Sequence, residues 1–170
     1  MLRILDITAP DINNGNGVRV TLWVSGCTHK CKGCHNSWTW DFNRGKSFIE
    51  YQDEILNKLS EWLKRDYVDG ITFSGGDPLD QDNDGLRLLL DIIKWVRRNY
   101  PTKTIWCYTG YTKEEIDESN NYMRKKVIDS IDVLVDGPYK EELRDIAHCP
   151  FRGSTNQRII YIKNNENFKK

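Results

Sequence analysis

Residues 18–34 read VRVTLWVSGCTHKCKGC, a strand-forming run that passes directly into three closely spaced cysteines. Most residues from Val18 to Val24 are β-branched or aromatic, which is typical of a buried β-strand. Cys27, Cys31 and Cys34 follow the end of that run in a short polar loop. The stretch therefore predicts a strand that delivers a cysteine loop to one edge of a sheet.

Strand and helix patterns alternate along the rest of the chain. Apolar residues recur at helical spacing in three segments, which are Ile55–Leu63, Leu86–Val96 and a region from about Thr112 to Ser130. Short apolar or β-branched runs predict further strands at Gly70–Ser74, Thr104–Tyr108 and Asp132–Val135, with a candidate fifth strand at Arg158–Ile162. Strands joined by helices imply right-handed crossovers and a curved, mainly parallel sheet. We therefore predict an α/β fold and, because no linker or repeat divides the chain, a single domain over residues 1–170.

Four polar or glycine-containing segments follow the ends of the predicted strands. They are the cysteine loop, Gly75-Gly76-Asp77, Thr109-Gly110 and Asp136-Gly137. Ligands of parallel α/β sheets bind at the carboxyl ends of the strands. The pattern therefore predicts that these segments meet at one edge of the sheet and form one site.

Composition limits the partners and the compartment. The chain has 25 basic and 25 acidic residues and no polybasic run, so neither nucleic acid nor a membrane is expected as a partner. The N-terminal residues lack the pattern of a signal peptide, and the apolar run Leu86–Val96 is short and contains charged residues. We expect a cytoplasmic protein. Five cysteines, three of them within eight residues, favour metal binding over disulfides in that compartment.

The CxxxCxxC spacing predicts an iron–sulfur cluster. A cluster with four irons normally takes four ligands, so three thiolates leave one iron open to a substrate. S-adenosylmethionine can chelate such an iron through its amino and carboxylate groups. The alternative is a structural zinc site completed by His29 or His35, but the sequence has no second CxxC pair because Cys107 and Cys149 stand alone.

These motifs together resemble the radical S-adenosylmethionine superfamily. Within that superfamily the chain is similar to the activating proteins of anaerobic ribonucleoside-triphosphate reductases. The resemblance rests on segments spread along the chain: Asn14–Arg19 (NGNGVR), Val24–Cys27 (VSGC), Cys34–Trp40 (CHNSWTW), Ser74–Leu79 (SGGDPL), Trp106–Tyr111 (WCYTGY), Val133–Gly137 (VLVDG) and Arg152–Gln157 (RGSTNQ). Three places depart from the family pattern, namely Asn16, His35 and His148–Phe151.

The resemblance implies a fold, cofactors and a partner. The fold would be a partial (β/α) barrel of the radical S-adenosylmethionine type. One 4Fe-4S cluster would be held by Cys27, Cys31 and Cys34, with no catalytic side chain beyond it. S-adenosylmethionine would be bound by Gly33, Cys34, His35, Gly75, Gly76 and Asp77. The protein would cleave this cofactor reductively, with reduced flavodoxin as electron donor, and generate a glycyl radical on the large subunit of anaerobic ribonucleotide reductase.

Other interpretations stay open at this point. The chain could activate a different glycyl-radical enzyme such as pyruvate formate-lyase, or it could be a zinc-stabilised binding module without catalysis. Arg152–Gln157 is a polar segment with few means of burying itself, so we expect it to dock the reductase, to close the site, or to be a plain terminal turn. Cys107 is expected in the core and Cys149 is expected to be a free thiol without function.

Overall fold

A computed structural model of the chain describes residues 1–145 and 147–163. Its strands, numbered in chain order, are β1 Arg3–Asp11, β2 Arg19–Val24, β3 Lys46–Ser47, β4 Gly70–Gly75, β5 Thr104–Tyr108, β6 Val133–Asp136 and β7 Arg158–Tyr161. The α-helices are α1 Gln52–Leu63, α2 Asn83–Asn99, α3 Lys113–Glu118 and α4 Tyr122–Ser130. Short 3₁₀ turns lie at Ser37–Thr39 and Glu141–Leu143. None of the α-helices in the described ranges is long and apolar enough to cross a bilayer.

The strands form one seven-stranded sheet in the spatial order β3-β1-β2-β4-β5-β6-β7. The four central strands, β2, β4, β5 and β6, are parallel to their neighbours among these four. β1, β3 and β7 each pair antiparallel. The predicted α/β class and the four central strands are confirmed. The sheet is open, with β3 and β7 at its edges, and its outer pairings differ from the mainly parallel sheet that the sequence predicts.

The sequence patterns did not predict β1 and β3. β1 has the sequence RILDITAPD, in which charged residues and Pro10 interrupt the apolar alternation. Its pairing with β2 also shifts register between Ile4 and Asp6 and again between Thr8 and Asp11. A register shift moves side chains to the opposite face, so the alternation that marks a regular strand is lost.

The helical region predicted from about Thr112 to Ser130 is two helices. The break lies at residues 119–121, where polar side chains bind the backbone. The Asn121 side chain accepts a hydrogen bond from the Arg124 N–H and begins α4. The Ser119 hydroxyl accepts one from the Asn121 N–H. Such side chains compete with helical hydrogen bonds, which explains the interruption.

The two faces of the sheet carry different residues. Alternate residues of the central strands, such as Val20, Leu22 and Phe73, join residues of all four α-helices in the main hydrophobic core. Cys107 is fully buried in that core, which confirms the prediction for this residue. The intervening strand residues face the other way, and several of them are polar or aromatic: Arg19, Thr21, Thr72, Ser74, Trp106 and Tyr108. Because the helices pack on one face, the second face can form the floor of a site.

A buried arginine holds the second face together at the N-terminal ends of the parallel strands. Arg19 is fully buried, and its guanidinium donates to hydroxyl and carbonyl oxygens of Thr72, Asn16, Thr104 and Ile71. Burial lowers the pKa of Arg19 to about 10. The Thr72 hydroxyl in turn donates to the Asn14 carbonyl. Arg19 therefore joins β2, β4, β5 and the loop that follows β1.

We expect Arg19→Met to destabilise the protein strongly. The methionine retains much of the apolar stem but leaves several buried oxygens without donors, each of which costs about 1–3 kcal/mol. The free energy of unfolding, measured by urea denaturation, should fall by about 3 kcal/mol or more. The matched control is Arg98→Met on the exposed side of α2, where a change within about 0.5 kcal/mol is expected. Equal losses in the two variants would contradict a structural role for Arg19.

Candidate functional site

A cavity of about 560 Å³ opens at the carboxyl ends of the central strands. Its lining includes residues from the cysteine loop, from Gly75-Gly76-Asp77, from Thr109-Gly110 and from the turn at Gly137. The predicted meeting of these segments at one edge of the sheet is confirmed. Ser74 and Tyr108 contribute from the strands themselves.

The cysteine loop is held at both ends by backbone hydrogen bonds. The N–H groups of Gly26 and Cys27 donate to the carbonyls of Thr39 and Trp40 at 2.8 and 3.1 Å. Within the loop, the Cys34 N–H donates to the Cys31 carbonyl at 3.1 Å. These bonds order the loop without using the thiol groups. Cys27, Cys31 and Cys34 are all unbridged, and all three line the cavity.

Burial dominates the electrostatics of two of the thiols. It raises the pKa of Cys27 to about 12, and the nearby negative charge of Asp77 adds to the shift. Burial also raises the pKa of Cys31. Iron binds the thiolate, so binding must release these protons, and the positive charge of the metal must offset the cost of ionising a buried sulfur.

The donor set suits a cluster. Three cysteines of one loop line a cavity of about 560 Å³, which is large enough for a cluster and a further ligand. Among residues 1–145 and 147–163, no three histidine, cysteine, aspartate or glutamate side chains converge on one point where a single ion would sit. A four-iron cluster does not require such convergence, because each thiolate binds a different iron.

Asp77 forms hydrogen bonds with several of the segments that line the cavity. This residue is 1% exposed, and its carboxylate accepts hydrogen bonds from His29 Nε2, the Thr109 hydroxyl, and the N–H groups of Gly110 and Leu79. The distances lie between 2.8 and 3.0 Å. The hydrogen bond to Asp77 raises the pKa of His29. Three of these hydrogen bonds go to Oδ2 and one to Oδ1, so both oxygens of the carboxylate have partners within the protein. Contact between Asp77 and S-adenosylmethionine stays a prediction.

The glycine pair after β4 lies against the cysteine loop. Gly75 has a φ of +111°, which favours glycine. A Cβ on Gly76 would collide with the carbonyl oxygen of Gly26 and lie 2.7 Å from its carbonyl carbon. The Asp77 N–H donates to that same carbonyl at 2.8 Å. The sequence predicts that the two glycines allow a ligand to approach the backbone. In the structure, Gly76 allows another part of the protein backbone to approach.

Five of the six predicted cofactor-binding residues line the cavity, namely Cys34, His35, Gly75, Gly76 and Asp77. His35 is exposed, and its ring lies 5.1 Å from that of Tyr139. Gly33 is not part of the lining. It has a φ of +71°, and a Cβ there would lie 2.7 Å from the Glu141 carboxylate. No observation tests the contact predicted for Gly33.

The cavity also contains residues that the sequence analysis did not assign to the site. Ile12, Asn13 and Asn14 come from the loop after β1, a strand that was not predicted. Tyr139 lies two residues after the Asp136-Gly137 turn, which is the signal that could have identified it. Cys149, expected to be a thiol without function, is buried and lines the same cavity.

The Arg152–Gln157 segment buries more of its polarity than the sequence predicts, because it lies against other segments of the chain. Ser154 is fully buried, and its hydroxyl accepts a hydrogen bond from the Lys140 N–H. The Gln157 side chain accepts from the Gly153 N–H and donates to the Gly137 carbonyl. Three residues of the segment, Arg152, Gly153 and Gln157, line the cavity. The segment is therefore a wall of the site.

Comparison with known proteins identifies the class. The model of the 4Fe-4S single cluster domain family matches residues 13–160, which include the whole cavity lining except Ile12. The chain therefore belongs to an iron–sulfur protein family.

The nearer relatives are more specific. Anaerobic ribonucleoside-triphosphate reductase-activating proteins of Escherichia coli K12 and Haemophilus influenzae are 41% and 42% identical to this chain, with 90% of this chain and 94% of each relative covered. The protein of the same name from Enterobacteria phage T4 is 36% identical, with 88% and 87% covered. The chain belongs to the family of these reductase-activating proteins.

We expect Gly76→Ala to destabilise the cysteine loop even without any ligand. The added methyl group collides with the Gly26 backbone, which can move only by displacing the start of the loop. The thermal midpoint of the cluster-free protein, followed by circular dichroism, should fall by several degrees. If instead the midpoint is unchanged and only ligand affinity falls, Gly76 is kept small for a ligand and our explanation is wrong.

Proposed function

We propose that this protein activates anaerobic ribonucleoside-triphosphate reductase by cleaving S-adenosylmethionine reductively at a 4Fe-4S cluster, which generates a glycyl radical on the large subunit of the reductase. One observation carries the proposal: three thiols and a Gly-Gly-Asp turn face one cavity in a chain of a 4Fe-4S family. The names of its relatives, reductase-activating proteins, support the partner.

The residues of the chain have separate tasks in this proposal. Cys27, Cys31 and Cys34 would hold three irons of a cluster as thiolates and would leave the fourth iron for the substrate. When bound, a 4Fe-4S cluster would supply the electron for reductive cleavage of S-adenosylmethionine, the chemistry from which the glycyl radical would derive. Asp77 binds both His29 of the cysteine loop and the end of β5, and so holds the loop in place beside the cavity. The protein thus supplies position and shielding, while the cofactor supplies the chemistry.

The cavity has a surface suited to a polypeptide substrate. Ile12 lines the cavity and is 67% exposed, and the half-buried rings of Tyr139 and Phe151 also line it. Apolar and aromatic groups at an open cavity are typical of sites that receive part of a partner protein. A glycine in a flexible loop of the reductase can enter such a cavity, because it has no side chain to exclude it.

The proposal includes several finer features. We propose that residues 1–170 form one activase domain whose open sheet is the partial (β/α) barrel of the radical S-adenosylmethionine type. We propose that Gly33, Cys34, His35, Gly75, Gly76 and Asp77 surround S-adenosylmethionine. Reduced flavodoxin is the proposed electron donor, and the cytoplasm, where thiols stay reduced, is the proposed compartment.

The ligand assignment predicts that alanine at Cys27, Cys31 or Cys34 abolishes a stable four-iron cluster, because two thiolates cannot hold it. Iron and sulfide content after anaerobic reconstitution, together with the brown absorbance, measure this loss. The matched control is Cys149→Ser, a change in another cavity cysteine that should leave the iron content unchanged. Loss of the cluster in Cys149→Ser, with the fold intact, would overturn the three-cysteine assignment.

The function predicts two products in sequence. The reconstituted, reduced protein should convert S-adenosylmethionine to methionine and 5′-deoxyadenosine, which chromatography detects. Addition of the reductase should give a glycyl radical that electron paramagnetic resonance counts directly. Pyruvate formate-lyase is the matched control substrate and should give no radical. A radical on that enzyme alone would identify a different partner, and a colourless protein that retains zinc after anaerobic purification would exclude catalysis.

A further inference from the structure

Arg152 is an arginine of the cavity with most of its hydrogen-bonding capacity unused. Among the described residues that line the cavity, it is the one arginine or lysine. Its Nη1 donates to the Gln157 carbonyl at 3.2 Å. Its Nε is buried without an acceptor, and within residues 1–145 and 147–163 its Nη2 makes no hydrogen bond.

The other buried or paired guanidinium groups of the chain are much better satisfied. Arg19 donates five hydrogen bonds to oxygens of its neighbours. Arg158 pairs with the carboxylates of Asp136 and Glu114. Arg97 also has an unpaired Nε, but it lies outside this cavity and is paired with Asp132. Buried polar groups without partners are rare in folded proteins, so the buried, unpaired Nε of an arginine at a cavity indicates an acceptor that binds there.

Within residues 1–145 and 147–163, no side chain or backbone oxygen accepts from the Nε or Nη2 of Arg152. The carboxylate among the cavity residues is that of Asp77, and its hydrogen bonds go to His29, Thr109, Gly110 and Leu79. A guanidinium favours a carboxylate as its partner, because hydrogen bonds between the two charged groups are strong even where one carboxylate oxygen also binds a metal. The partner of Arg152 is therefore expected to be a carboxylate carried by a ligand.

We propose that Arg152 binds the α-carboxylate of S-adenosylmethionine, an inference that rests on the function proposed above. That carboxylate is the single anionic group of this ligand, and Arg152 is the matching cation in the lining of the cavity. A glycine loop of the reductase presents neutral carbonyl groups, which do not require a charged donor. Arg152 is thus a residue that selects adenosyl ligands bearing an amino-acid carboxylate.

The test compares two uncleaved ligands on anaerobically reconstituted protein by isothermal titration calorimetry. S-adenosylhomocysteine carries the carboxylate, whereas 5′-methylthioadenosine keeps the adenosyl thioether without the amino-acid group. Arg152→Gln should weaken S-adenosylhomocysteine binding by about tenfold to a hundredfold, the value of hydrogen bonds to a charged group. The affinity for 5′-methylthioadenosine should change by less than about twofold, because this ligand has no carboxylate for Arg152 to bind.

Two further variants distinguish loss of the carboxylate contact from a general effect of substitution. Arg152→Lys keeps the charge but loses the planar donors, so S-adenosylhomocysteine should bind several times more weakly and 5′-methylthioadenosine equally well. This variant decides the test if Arg152→Gln loses iron or unfolds. The matched control is Arg144→Gln, which alters an exposed arginine outside the cavity and should bind both ligands as the unaltered protein does.

Three results would overturn the inference. Unchanged S-adenosylhomocysteine affinity in both Arg152 variants would exclude the carboxylate contact, and a loss of glycyl radical in that case would assign Arg152 to the peptide. Equal weakening of both ligands would assign it to the adenosine or to the shape of the cavity. An unaltered protein that binds neither ligand would overturn the proposed function together with this inference, whereas the first two results leave that function standing.

Discussion

The site depends on one buried carboxylate. Asp77 accepts hydrogen bonds from the cysteine loop through His29, from the end of β5 through Thr109 and Gly110, and from its own turn through Leu79. Its N–H also donates to the Gly26 carbonyl, immediately before the first cysteine. A buried carboxylate is costly unless every oxygen is satisfied, so the elements that satisfy it must stay together. This requirement connects the thiols to the sheet.

The uneven use of the two sheet faces explains why the cavity exists. The four α-helices bury alternate strand residues in the main core, and the intervening residues are left for polar and aromatic contacts. Arg19 joins the strands of that second face at their N-terminal ends, while the cavity occupies the opposite, carboxyl ends. The rigid end of the sheet thus supports a site made almost entirely of loops, which is the usual division between scaffold and function.

Several glycine, aspartate and arginine residues at the cavity edge make their contacts within the protein. The Gly26 backbone lies against Gly76 and leaves no room for a side chain there. The Asp77 carboxylate accepts hydrogen bonds from four donors of the protein. Arg158 of β7 pairs with the buried Asp136 at the end of β6 and so joins β7 to the sheet. Arg152 differs from these residues, because its donors have only one hydrogen-bond partner, the Gln157 carbonyl, among residues 1–145 and 147–163.

The sequence by itself determined the class of the fold, the four central strands and the edge at which their motifs meet. Those features depend on local patterns: apolar periodicity for the elements, and the known binding edge of parallel strands for the site. Only the tertiary structure decided the rest. β1 was hidden by register shifts, and Cys149 and Tyr139 reach the cavity through loops whose course no periodicity encodes. The burial of Arg152–Gln157 and the unused donors of Arg152 likewise depend on contacts between segments distant in the chain, and such contacts leave no local pattern.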